Sequence, residues 1–91
     1  MVIYMKTITM FMMKTCPYCQ EAFHFMDKLY SENDAYKALT VNFIDETEHP
    51  EIADKYDYYR VPTYYVGDEK LHEGIAELKD VRRVFDTALI S

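Results

Sequence analysis

The residues Cys16-Pro17-Tyr18-Cys19 constrain this chain more than any other stretch. They contain both of its cysteines, and only Lys14 and Thr15 separate them from a strand-length apolar run at residues 7–13. Pro17 fits the first turn of a helix, where its missing N–H has no partner to lose. Beyond it, Ala22, Phe23, Met26, Leu29 and Tyr30 recur at helical spacing. The chain is therefore expected to leave a strand and enter an amphipathic helix at the first cysteine.

The remaining sequence extends that pattern. A polar break at residues 31–37 precedes a second apolar run at 39–44, which reads as a strand buried on most sides. Residues 45–57 read as a loop and a short helix, with Pro50 near its start and Ile52, Ala53 and Tyr56 facing inward. Residues 61–66 form a third strand. The turn at 67–70 leads into a fourth around Leu71, as a hairpin that Gly74 ends. Val81, Val84, Phe85, Ala88 and Leu89 mark a last helix whose start is poorly signalled, because Glu77 and Lys79 are weak N-caps. The predicted order is β-α-β-α-β-β-α: a parallel strand pair joined by a right-handed crossover, then an antiparallel hairpin. That gives an α/β fold with a mixed four-stranded sheet flanked by three helices.

Ninety-one residues suit one compact domain, expected to span residues 1–91. A formal net charge of −6 argues against nucleic acid and against an anionic membrane surface. No stretch approaches the ~20 apolar residues of a membrane span. The N-terminal run lacks the basic start and cleavage site of a signal peptide, so a cytoplasmic location is expected. Two cysteines make no disulfide framework, and in a reducing compartment a close pair points to redox chemistry or metal binding.

The spacing favours redox chemistry. Backbone N–H groups at a helix start lack partners, and the dipole there favours negative charge, so a thiolate at Cys16 is stabilised. Lys14 would add to that positive field. Cys19, one turn later and deeper, is placed to attack a mixed disulfide formed at Cys16. Tyr18 would point outward as an aromatic contact for a substrate.

These residues resemble a known group: Cys16-Pro17-Tyr18-Cys19 matches the active site of dithiol glutaredoxins, within the thioredoxin superfamily. Val61-Pro62-Thr63 is similar to the cis-proline loop of that superfamily, and the likeness extends from Ile8 to Leu89. The resemblance implies a thioredoxin-like fold and a thiol–disulfide oxidoreductase in which Cys16 attacks and Cys19 resolves. It implies that Pro62 is cis and that the backbone of Val61 is free to pair with an extended substrate. Lys14, Tyr18, Arg60, Val61, Pro62 and Gly74 are the residues expected around that substrate, Arg60 reading equally as a holder of a carboxylate or as a solvated surface arginine. Tyr58 and Tyr59 would form an aromatic rim beside the site. No tightly bound cofactor is implied. The substrate would be a disulfide-containing protein or small molecule, and the reductant either glutathione as co-substrate or a thioredoxin reductase. By the same analogy the potential falls between about −270 and −200 mV. Nothing demands more than a monomer.

Some positions depart from the glutaredoxin pattern. Met13 stands where a basic residue usually precedes the first cysteine. The acid that usually meets the γ-glutamyl group is replaced by Ala76, and the first glycine of the usual pair by Glu73, whose charge would repel an anionic ligand. These changes favour electrons arriving from elsewhere. Asp45, after the second strand, reads as a loop cap. A metal site built on Cys16, Cys19 and His24 or His49 lacks a second ligand pair, so no metal is expected. An iron–sulfur module is disfavoured by the second cysteine.

Overall fold

The computed structural model describes residues 5–89. Its elements are β1 (Ile8–Met12), α1 (Pro17–Glu32), β2 (Val41–Asp45), α2 (Pro50–Ala53), β3 (Thr63–Val66), β4 (Glu69–Glu73) and α3 (Leu78–Leu89). They follow the expected order, with a short 3-10 turn, Asp34–Ala38, between α1 and β2. The four strands form one sheet in the order β2-β1-β3-β4, parallel between β1 and β2 and antiparallel elsewhere.

The position of β1 follows from its composition. A central strand is covered on both faces, which demands apolar residues at successive positions. Ile8, Met10 and Met12 join the large core beneath α1 and α3, together with Met26, Leu29, Val81, Val84 and Phe85. Phe11 points the other way, into a second cluster with Ala53 of α2 and Tyr65 of β3. Its ring also lies 4.8 Å from that of Tyr58 and 4.7 Å from that of Tyr56. Tyr56 lies beyond the end of α2 rather than on its inner face, and it packs through its ring.

The second strand differs from its expectation. β2 is an edge strand, and Asn42 and Phe43 are exposed rather than buried. Only β1 pairs with it, and Phe43 is 53 % exposed, its ring 5.8 Å from that of Phe23. The strand also begins later than expected. Leu39 belongs to the core beneath the 3-10 turn, where Tyr36 packs edge-on against Phe85 and donates its hydroxyl to Asp86. The polar break is thus a turn that buries one aromatic ring, with Asn33 capping it by accepting the Ala35 N–H.

Gly74 ends β4 at φ 92°, a left-handed conformation that side chains disfavour. The start of α3 is fixed from inside the helix: Asp80 accepts the Glu77 N–H at 2.9 Å. That is the returning half of a capping box, which compensates for a weak N-cap residue. No helix among the described residues is long and apolar enough to cross a membrane.

Candidate active site

The site begins where β1 passes into α1. Cys16 is the N-cap of α1, extended at φ −83° and ψ 120°, and Pro17 opens the helix. The Cys16 N–H donates to the Met13 carbonyl and its own carbonyl accepts from Gln20, both at 3.1 Å. No side chain caps this helix, so its first N–H groups have no acceptor from the Cys16 side chain. Cys16 is partly exposed and Cys19 fully buried, and both thiols are free.

Burial pushes the Cys19 thiol up to about 12. A hydrogen bond from the Met13 backbone opposes that shift. The hydrogen bond with Cys16, the charge Cys16 carries when ionised and the charge of Glu46 add to it. Of the two sulfurs, one is accessible at a helix N-terminus and the other is held protonated beneath it.

The second component is the loop before β3. The Val61–Pro62 peptide bond is cis, and Pro62 is fully buried. Cys16 and Val61 both pack against the core cluster that contains Cys19 and Ala76. β1 pairs antiparallel with β3, Phe11 opposite Thr63, so the turn into α1 and the cis-proline loop leave the sheet at the same end, although α1, β2 and α2 lie between them in sequence. The Val61 backbone makes no hydrogen bond to another described residue.

The other expected positions are distributed around this pair. Tyr18 projects outward and is 50 % exposed. Arg60 is exposed, and its side chain runs alongside Gly74, whose N–H donates to the Pro62 carbonyl at 2.9 Å. Lys14 lies 2.5 Å from Glu48, and that pairing offsets the positive field expected from it. Tyr58 is only half-exposed. Its ring stacks on Phe11 and its hydroxyl donates to Glu46, whereas Tyr59 stands fully out in solvent. Asp45 caps the loop after β2, accepting the N–H groups of Thr47 and Lys14. His24, His49 and His72 lie on α1, before α2 and on β4, and no three metal-ligating side chains cluster among the described residues.

Three contributors escaped the sequence. Glu73 is no bare charge: it pairs with Lys70 and accepts the N–H groups of Tyr59 and Arg60. Glu46 faces Tyr58 and contributes charge near Cys19. Asp80 occupies the N-terminus of α3. Asp80 left a local signal, an acid three residues after Glu77, and Glu73 a fainter one, Lys70 three residues before it.

Residues 6–86 match the family model described as a thioredoxin domain. No curated protein sequence matches the chain. Among solved structures, the oxidised thioredoxin of Plasmodium falciparum superposes with a TM-score of 0.70 at 16 % identity, over 94 % of this chain and 83 % of that one. A mutant thioredoxin from Halobacterium salinarum gives 0.67 at 20 % identity, over 94 % and 76 %. Desulfothioredoxin from Desulfovibrio vulgaris Hildenborough, in its reduced form, gives 0.65 at 21 % identity, over 91 % and 81 %. The sheet order, the cis-proline and the match along most of its length agree: the chain has the thioredoxin fold and belongs to the thioredoxin domain family.

Proposed function

We propose that this protein is a thiol–disulfide oxidoreductase working through Cys16 and Cys19. The observation that carries the reading is the contrast between the two sulfurs: Cys16 accessible at the start of α1, Cys19 buried and raised to about 12. Such a pair divides the labour of exchange. The Cys16 thiolate attacks one sulfur of a substrate disulfide, the substrate S–S bond breaks and a substrate thiolate leaves. Cys19 then gives up its proton and attacks the Cys16 sulfur, releasing the second substrate thiolate. The products are a reduced substrate and a Cys16–Cys19 disulfide, two electrons having passed to the substrate. An external reductant restores the dithiol. Val61, with its backbone unpaired, would align an extended substrate beside Cys16.

The Cys-Pro-Tyr-Cys sequence is that of dithiol glutaredoxins, which would make glutathione the reductant. A reductase is favoured instead by two features of this chain. Asp80 takes the Glu77 N–H at the start of α3, so that helix end already holds a carboxylate. Buried Ala76 stands where a carboxylate partner for glutathione is usual. We therefore read the protein as glutaredoxin-like in its motif and thioredoxin-like in its electron source.

The test is the intact mass of a Cys19→Ser protein after exposure to oxidised glutathione. It is followed by reduced glutathione or by a thioredoxin reductase system. Slow adduct formation, with ready reduction of the wild-type disulfide by the reductase, is the expected result. A single adduct on Cys16 that reduced glutathione removes quickly would make the protein a glutaredoxin. Cys16→Ser should lose all turnover, and a variant that still reduced disulfides normally would sink the mechanism.

A further inference from the structure

The loop that carries the cis peptide bond is fixed by a carboxylate from the neighbouring hairpin. Glu73, the last residue of β4, accepts the Tyr59 N–H at 2.7 Å and the Arg60 N–H at 3.1 Å through Oε2. Its Oε1 takes Lys70 Nζ at 2.7 Å. Lys70 Nζ and the Tyr65 hydroxyl both donate to the Asp57 carbonyl, at 3.1 and 2.8 Å. On the far side, Thr63 donates its hydroxyl to the Arg60 carbonyl and Gly74 its N–H to the Pro62 carbonyl. Hydrogen bonds from backbone N–H groups to an ionised carboxylate are stronger than neutral ones. The Glu73 side chain is 22 % exposed and its backbone donors belong to exposed residues, so the bonds hold by their number and geometry rather than by exclusion of water. Tied on both sides, Val61 keeps its own N–H and carbonyl unpaired.

We infer that Glu73 is a positioning residue for substrate binding, locking Tyr59 and Arg60 so that the Val61 backbone is held ready for an extended chain beside Cys16. The inference rests on the disulfide exchange proposed above. It also reverses the expectation for Glu73: its charge is engaged inside the protein, by Lys70 and two backbone donors, rather than turned on a ligand.

The experiment compares wild type, Glu73→Gln and Glu73→Ala in the reduction of insulin with dithiothreitol as reductant. Rates of Cys16 alkylation by iodoacetamide and the amide resonances of Tyr59 and Arg60 are measured beside it. Losing charge-assisted bonds should raise KM about tenfold in Glu73→Ala. Glu73→Gln, which keeps an acceptor oxygen, should fall between. kcat should stay within about twofold, because the reacting atoms are untouched. The alkylation rate should not change, and both amide resonances should move most in Glu73→Ala. Unchanged KM in both variants, with normal wild-type turnover, would overturn this inference alone. So would KM and alkylation rate shifting together, which would mark a general loss of structure. Wild-type protein that failed to reduce insulin would overturn the proposed function, and this inference with it.

Discussion

Cys19 links the energetics of the fold to its chemistry. In the folded chain its thiol ionises only near 12, but in the unfolded chain it returns to its ordinary value near 9.0. Between those values the folded state keeps a proton that the unfolded state has lost. Stability from this group is therefore complete below about pH 9 and falls as pH rises toward 12. Tyr30, Tyr36, Tyr58 and Tyr64 are raised too, with burial the first cause, and their loss sets in as pH approaches their ordinary value of 10.0. Near pH 9 the cysteine leads this loss, and toward pH 10 the tyrosines overtake it. Reduced wild-type protein should show a denaturant midpoint that drops from about pH 8 to about pH 9.5, and Cys19→Ser should show a shallower drop. Identical slopes would mean a Cys19 that ionises as an exposed thiol does. On the proposed mechanism, the same proton should make resolution of a mixed disulfide accelerate with pH, by about tenfold per unit while the thiolate is scarce. Among single residues the sequence was legible where the chemistry is local: two cysteines one turn apart, and a proline after Val61. It was illegible for Lys14 and Glu73. Glu48, Tyr59 and Arg60 lie far from them in sequence, and although Lys70 is only three residues from Glu73, spacing alone did not show that the two charges pair.

Among the elements, α3 shows how a helix boundary is set by more than its first residue. Its inward residues Val81, Val84, Phe85 and Ala88 stood out by period and are the ones buried. Its start is unmarked at the N-cap position itself, whereas the fixing group is Asp80, reaching back to the Glu77 N–H. Asp80→Ala should therefore destabilise the fold by about 1 kcal/mol. In a domain of this size that lowers Tm by roughly 4–8 °C, as a thermal melt would reveal. No change in Tm would mean that water serves the Glu77 N–H equally well. β2 shows the opposite error. Val41, Phe43 and Ile44 suggested a buried strand, yet local composition cannot say whether a second neighbour will come to pair with it. Phe43→Thr on that open edge should shift stability by no more than about 0.5 kcal/mol, the range for exposed positions. A larger loss would mean that the Phe23–Phe43 contact matters more than its exposure suggests.

For the molecule as a whole, the order of elements was readable because each apolar period was long enough to identify. One parallel crossover and one hairpin give the pairs β1–β2 and β3–β4, and the structure joins them by pairing β1 with β3. What the order could not give was the electrostatic balance around the cysteines, which depends on how distant carboxylates settle. That balance leads to a test of substrate preference. Lys14 is matched by Glu48 and Lys70 by Glu73, so two cations that would otherwise offset the site's acidity are already engaged. Glu46 adds charge near Cys19, and the chain carries −6 overall. A dianionic disulfide such as oxidised glutathione should meet net repulsion on approach, and a dicationic one such as cystamine net attraction. Salt shortens the reach of both effects, to about 10 Å at 0.1 M. Reaction of reduced protein with oxidised glutathione should thus accelerate as sodium chloride is raised from about 10 to about 300 mM, while reaction with cystamine slows. The two rates should converge. Arg60 acts in the opposite sense, since among the described residues its guanidinium makes no ion pair and it lies beside the cis-proline loop. If Arg60 governs the local field, the glutathione rate will fall with salt, and Arg60→Ala will abolish that fall. Acceleration with salt in both wild type and Arg60→Ala would assign the discrimination to the acidic surface as a whole.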